Sequence, residues 1–380
     1  MERMSGRERM LLAMTNRQPD RVPVAPDISN MIPCRLTGKP FWEVYYFGEP
    51  PLWKAYLEAL KHFGFDGWFV DGSMQYAWPG QRREVVEDLA KTAERWVVGR
   101  RGQIDGLTYR YETTYYLADS PTRTRRPFRD IEADWPLLEK WFAPPSGCSP
   151  ALLVQQRAEL GELGAFGVSL GYPGFQAWFD LFEGGLADLS EWYYFKPDYI
   201  EALRALHERQ VVRQMEMVLD QRPDFVLLGG SGTLTLQSPK IARALSLPTI
   251  QTLTRMAAQA GVPTMLHSCG KERALVQMCT EESELDCINP LEVPPMGDCD
   301  LAEVKRAFGG RIALMGNLHT TQVMLMGSPQ EVEQAAREAI LAAGAGGGFI
   351  LSTGDQCGRD TPDENIFALI RAAREYGVYR

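Results

Sequence analysis

No run of about 18 apolar residues occurs in this sequence, so no membrane-spanning helix is expected. Long basic runs are also missing; the densest cluster is Arg123, Arg125, Arg126 and Arg129, within a net charge of -9 from 40 basic and 49 acidic residues. That balance argues against generic nucleic-acid binding, which depends on neutralising phosphates, while leaving room for a local basic pocket. Met1 to Arg7 offers neither an apolar core nor a small-residue cleavage site. No secretory leader is therefore expected, and a reducing cytoplasm is the expected compartment. The seven cysteines are odd in number and lack the short spacings of a disulfide framework. No Gly-x-Gly-x-x-Gly follows the first apolar run, which removes the usual dinucleotide fingerprint of a doubly wound open sheet. Repeats, linkers and low-complexity tracts are absent, so residues 1–380 are expected to form one domain.

What is present is the composition of a globular protein, 45% hydrophobic and 23% charged. A chain this long buries roughly three quarters of its unfolded surface, so a metal here would serve function rather than folding. Eight short apolar runs read as buried parallel strands, because they lack strict alternation. They are Val22 to Pro26, Gly67 to Val70, Ala165 to Leu170, Phe225 to Leu228, Thr264 to His267, Cys287 to Pro290, Ile312 to Met315 and Phe349 to Ser352. Helical stretches alternate with them: Ser5 to Asn16, with a Ser5/Glu8 capping box, Leu52 to Phe63, Asp198 to Leu219 and Pro239 to Ala260. Leu301 to Phe308, Pro329 to Ala343 and Pro362 to Tyr376 follow, the last two with Ser328 and Thr361 as expected N-caps. This alternation predicts an α/β fold, a (β/α)8 TIM barrel. Residues 73–163 interrupt it between the second and third strands. Within them, Arg95 to Gly99 and Leu107 to Thr113 are expected to pair as an aromatic hairpin.

Barrel enzymes carry their chemistry at the C-terminal ends of the strands. The fifth expected strand ends His267-Ser268-Cys269-Gly270, and the eighth is followed by Gly354-Asp355-Gln356-Cys357. Period-two alternation puts His267 and Cys269 on one side of the backbone. A closed barrel would bring Cys357 to the same mouth. One imidazole and two thiols suit a zinc ion with an open position, although the cysteines also read as small buried hydrophobes. Glu292 is a candidate fourth ligand, or a plain loop carboxylate. Asp27, Asp71, Tyr172, Asn289, Asn317 and His319 also lie at strand ends and are candidates for contacting substrate. Gly229-Gly230 leaves the fourth strand end almost bare, either for close approach of a ligand or as a simple turn. His62 and His207 sit within helical stretches, and the remaining cysteines have no partner at ligand spacing.

Several of these segments together resemble the uroporphyrinogen decarboxylase superfamily, and within it the zinc-dependent, corrinoid-linked methyltransferases. The resemblance rests on Arg7 to Leu11, Asp20 to Val24, Ser238-Pro239, His267 to Gly270, Asn289 to Glu292, Gly316-Asn317 and Thr361 to Asn365. It implies zinc held by His267, Cys269 and Cys357, and a methylcobamide carried by a partner corrinoid protein. It also implies methyl transfer involving a thiol, tetrahydrofolate or a methoxylated or methylated small molecule, and it is compatible with a homodimer. Trp42, Tyr45, Tyr46 and the aromatic hairpin are expected contacts for the partner. The porphyrinogen-gripping Gln-Ala-Gly-Arg-Tyr segment of the metal-free decarboxylases is missing; that region reads Asp27-Ile28-Ser29-Asn30-Met31. A metal-free lyase acting on a polycarboxylate is the alternative reading, and a non-enzymatic corrinoid-protein binding module a third.

Overall fold

A computed structural model describes residues 4–379. In chain order the strands are β1 (Gly67–Phe69), β2 (Gln75–Ala77), β3 (Arg82–Lys91), β4 (Arg95–Ile104), β5 (Leu107–Tyr116), β6 (Thr122–Arg125) and β7 (Gly147–Ser149). Then come β8 (Gly164–Leu170), β9 (Phe225–Gly229), β10 (Thr264–His267), β11 (Cys287–Asn289), β12 (Ala313–Leu318) and β13 (Phe349–Thr353). Seven of them form one parallel sheet in the order β1-β8-β9-β10-β11-β12-β13, with helices in the connections.

The first expected strand differs. Val22 to Pro26 forms no ladder, only a single parallel bridge between Val24 and Leu351. Its backbone nonetheless reaches both edges of the parallel sheet. Ala25 N donates to Leu351 O and Leu351 N to Pro23 O on the β13 side, and Asp66 N donates to Val24 O on the β1 side. Proline at positions 23 and 26 removes two of the donors a regular ladder would use. The sheet is thus seven strands curled round, with an extended segment spanning its two edges.

Alternation along the strands sorts the core into two layers. Trp68, Ala165, Phe225, Leu227, Met265, Cys287, Ala313, Met315 and Ile350 pack together inside the curl, with Met10, Ala13 and Met14 of the helix Gly6–Met14 against them. That helix starts at the expected capping box, where Ser5 and Glu8 satisfy each other's backbone N–H. Phe166, Val168, Val226, Leu228, Leu266, Ile288, Leu314 and Leu351 belong to the outer layer beneath the helices. Cys287 is therefore core filling.

Two helices depart from expectation. Pro239 to Ala260 is broken into Pro239–Leu245 and Leu247–Ala260, because Pro248 cannot donate to the preceding turn. The last helix begins at Asp363, with Pro362 rather than Thr361 in the capping position.

Residues 73–163 build a second, antiparallel sheet in the order β3-β4-β5-β6. β4 and β5 pair from Arg95/Tyr116 to Ile104/Leu107. Asp105 and Gly106 turn the chain, with φ of 50° and 86°, as a tight two-residue hairpin requires. The inner face of this sheet and the segment before it share an aromatic cluster of Trp42, Trp96, Tyr115, Tyr45 and Tyr46. No helix among the described residues is long and apolar enough to cross a membrane.

Candidate metal centre

The same alternation that turns Met265 and Cys287 inward turns His267 and Asn289 inward one layer higher. The two are register partners on β10 and β11. Past His267 the chain is tied down from both sides. Gly230 N donates to His267 O at 2.9 Å and Ser268 N to Asn289 O at 2.9 Å. Ser268 Oγ then accepts from Thr233 N at 3.2 Å. These bonds fix the direction in which Cys269 leaves the strand.

Opposite lies the loop after β13. Thr353 Oγ1 accepts from Asp27 N at 3.0 Å and donates to Asp355 O at 2.7 Å. Asp355 adopts φ 122°, a region that side chains other than glycine rarely occupy. Such strain costs roughly 1–3 kcal/mol and tends to persist where a side chain must be aimed. The carboxylate reaches His267, with Oδ1 3.8 Å from Nε2. One donor atom from each of His267, Cys269 and Asp355 lies within 4.8 Å of the others, a spacing able to hold a metal ion.

The electrostatics of this cluster suit a cation. Burial pushes the Cys269 thiol up to about 11, and the negative charges of Asp355 and Glu292 add to the shift. Glu292 is buried, and its carboxylate accepts from Gly270 N. Burial raises the Glu292 and Asp355 carboxyls above the ordinary range, and each raises Cys269 in turn. Behind them Glu272 is fully buried, with one oxygen accepting from Leu291 N at 2.7 Å and the other without a partner. Burial moves it well above the carboxylate range. Among the described residues no Lys or Arg pairs with any of these three carboxyls. A divalent ion bound by nitrogen and sulfur would offset the accumulated negative charge.

Cys357 stands apart from the three-residue cluster. It is fully buried, its backbone N donates to Asp27 O at 2.8 Å, and its thiol faces Thr353 and Thr361. Burial and the charge of Asp27 push that thiol up to about 12. Of the expected ligand set, His267 and Cys269 are thus brought together with Glu292 beside them, and Cys357 lies behind the loop that presents Asp355. Sequence reasoning read that loop only for its cysteine. The carboxylate two residues earlier was the available signal for Asp355.

The other candidates divide. Tyr172 is completely buried, and its hydroxyl is 2.7 Å from Thr233 Oγ1, so it supports the β9 end from beneath. This also accounts for Gly230, where an added Cβ would fall 1.8 Å from the Tyr172 hydroxyl. Asn289 is buried with its side-chain oxygen unpartnered. Asn317 donates its amide to Leu291 O at 3.0 Å, holding the loop that leads to Glu292. His319 caps the short helix Thr320–Leu325, its Nδ1 accepting from the N–H groups of Thr321 and Gln322. His207 is core: Trp178 Nε1 donates to its Nδ1 at 3.1 Å, and burial lowers it to about 3.

Asp71 lines a separate cavity of about 330 Å³ with Ser73, Gln156 and Ser169. Burial, reinforced by Asp27, raises it to about 6. At pH 3 both folded and unfolded Asp71 keep their proton. As pH rises to about 6 the unfolded chain ionises first, so stability falls across that window and stays lower above it. Asp71→Asn is expected to be about 1–2 kcal/mol more stable than the parent at pH 7.5 and equal to it near pH 3.5, allowing for its partial exposure. Urea unfolding at the two pH values measures this; an equal difference at both would remove the assigned shift.

Comparisons with known proteins bear on the same region. Residues 175–376 match the family Uroporphyrinogen decarboxylase (URO-D). Over 150 residues the chain is 28% identical to a methylated-thiol–coenzyme M methyltransferase of Methanosarcina mazei, covering 40% of this chain and 37% of that protein. Over 189 residues it is 26% identical to the methylcobamide:CoM methyltransferase MtaA of Methanosarcina barkeri, covering 49% and 52%. The matched stretches thus span between about a third and a half of those relatives. A solved methyltransferase from Methanosarcina mazei superimposes over 98% of this chain and 99% of its own with a TM-score of 0.67, at 17% identity, which is a likeness of fold.

Proposed function

We propose that this chain, which belongs to the uroporphyrinogen decarboxylase (URO-D) family, is a zinc-dependent methyltransferase that moves a methyl group between a corrinoid protein and a small molecule. The observation that carries the reading is the meeting of His267 and Cys269 with the Asp355 carboxyl, beside the buried Glu292, none of which pairs with a Lys or Arg among the described residues. Zinc would be held by His267, Cys269 and Cys357, with Glu292 as the candidate fourth ligand. When bound, the ion favours the thiolate form of a substrate thiol, the form that is nucleophilic.

The remaining work falls to the chain. His267 and Cys269 are aimed by the bonds that tie Gly230 and Ser268 to neighbouring strands. Asp355, whose carboxyl is raised by burial, would take the proton that the incoming thiol gives up. Sulfur then bonds to the methyl carbon as the carbon–cobalt bond breaks, and the electron pair stays on cobalt. Glu272 and Asn317 hold the segment Leu291-Glu292 in place by backbone hydrogen bonds. The partner protein would dock on the aromatic cluster of Trp42, Tyr45 and Tyr46, which packs against the inserted sheet. We read residues 1–380 as one domain.

Free methylcobalamin with a panel of thiols and tetrahydrofolate tests the reading, followed by the cobalt chromophore. Demethylation by at least one acceptor, abolished by a strong chelator and restored by zinc, is expected. Activity on a polycarboxylate that survives the chelator would support the metal-free lyase instead.

A further inference from the structure

The inserted sheet carries a feature that the reaction centre does not use. On β3, β4 and β5, residues 83 and 85, 101 and 103, and 108 and 110 occupy one face, because side chains alternate along each strand. The register sets Arg83 opposite Gln103 and Arg101 directly opposite Arg110. Like charges facing across a ladder destabilise it. Arg125 at the end of β6 lies in the same sheet, and the segment after it adds Arg126 and Arg129. Together these six arginines line a cavity of about 690 Å³. It shares no residue with the metal cluster.

The positive charge is only partly answered. Glu87 pairs with Arg101 at 2.7 Å, Glu112 lies 3.3 Å from Arg110 and 3.6 Å from Arg125, and Asp180 lies 3.5 Å from Arg126. Arg83 and Arg129 are exposed and form no ion pair among the described residues. The Nε of Arg110 is shut off from solvent with no hydrogen-bond acceptor, and that of Arg126 is likewise enclosed, with only the Asp180 carboxylate 3.5 Å away. Asp134, the one acid in the lining, spends its Oδ2 on the backbone N–H groups of Arg129 and Asp130. A chain of net charge -9 has therefore gathered guanidiniums from the sheet and the segment after β6 around one groove.

We propose that this groove binds an anion carrying two or more phosphate groups. The guanidinium fork matches phosphate oxygens bidentately, and a tetrahedral group accepts from the sheet and the segment after β6 at once. Arg101 and Arg110 hold the anion from below and relieve their mutual repulsion by doing so; Arg83 and Arg129 close on it from the rim. Gln103 and Thr108 add neutral hydrogen-bonding groups beside it.

Isothermal titration of the full chain at low salt, with inorganic pyrophosphate, citrate and sulfate as probes, tests this. Saturable binding of one pyrophosphate per chain is expected, at least tenfold tighter than citrate or sulfate. Arg83→Ala with Arg129→Ala is expected to weaken it tenfold or more while leaving methyl transfer and thermal unfolding without anion unchanged, since both residues are exposed and unpaired. Arg110→Lys, which keeps the charge and loses the fork, is expected to weaken it as well. Heat that arises from pyrophosphate stripping a metal would persist in the double variant. Unchanged affinity in that variant, absence of saturable binding, or tighter binding of citrate would each overturn the assignment. The result is independent of the methyltransferase reading, whose own test uses no anion.

Discussion

His267→Ala is expected to abolish zinc retention and to lower methyl transfer from methylcobalamin roughly 10³-fold, on the order of 4 kcal/mol in the barrier. The side chain lies at the top of the inward-facing column of β10, one layer above Met265, and its ring nitrogen lies within 4.8 Å of the Cys269 thiol and the Asp355 carboxylate. Without the imidazole, the remaining donors are thiols and a carboxyl whose proton affinity burial raises. Such groups must release protons to bind a metal, so affinity falls steeply. The fold is expected to survive, because His267 is not part of the apolar layers. Metal analysis and the cobalt chromophore read the two effects separately. Loss of activity with zinc retained would show that His267 acts on the reactants rather than on the ion.

Asp66→Ala is expected to destabilise the chain by about 3–5 kcal/mol, the usual cost of leaving buried charges without their partner. Asp66 is buried with Arg9 and Arg21, and its carboxylate accepts from Arg9 and bidentately from Arg21, at 2.7 and 3.0 Å. The same carboxylate accepts from Val24 N at 3.0 Å, while Asp66 N donates to Val24 O. One side chain therefore fastens the segment that spans the two edges of the parallel sheet. Arg9 keeps Asp20 as a second partner, but Arg21 has no other carboxylate bond among the described residues. Its Nε is already unpartnered. A drop in the urea midpoint with an unchanged slope is the expected result. A loss below about 1 kcal/mol would mean that the segment is held by its backbone bonds alone.

The parallel strands were readable because both of their faces are covered, which leaves continuous apolar runs. β3 was not, since Arg82 to Lys91 is exposed and charged on both faces and acquires its strand only by pairing with β4. The first expected strand had the right residues but carries Pro23 and Pro26, which permit a bridge and deny a ladder. His267 and Cys269 followed from strand alternation. Asp355 did not, because its aim comes from a φ of 122° that no residue type there announces. Gly230 read equally as a ligand approach or a turn; it proved to make room for the Tyr172 hydroxyl, a contact between strand ends 58 positions apart in sequence. His319 was placed at the right strand end, and its ring caps the helix that follows.

The central claim is that two sulfurs and one imidazole hold the ion, although Asp355 and not Cys357 lies within reach of His267 and Cys269 in this structure. X-ray absorption at the zinc edge of the loaded protein decides between them, since zinc–sulfur and zinc–oxygen distances differ, at about 2.3 and 2.0–2.2 Å. Two sulfur scatterers per zinc, falling to one in Cys357→Ser and unchanged in Asp355→Asn, is the predicted result. One sulfur in the parent protein, with Cys357→Ser leaving the spectrum as it was, would contradict it.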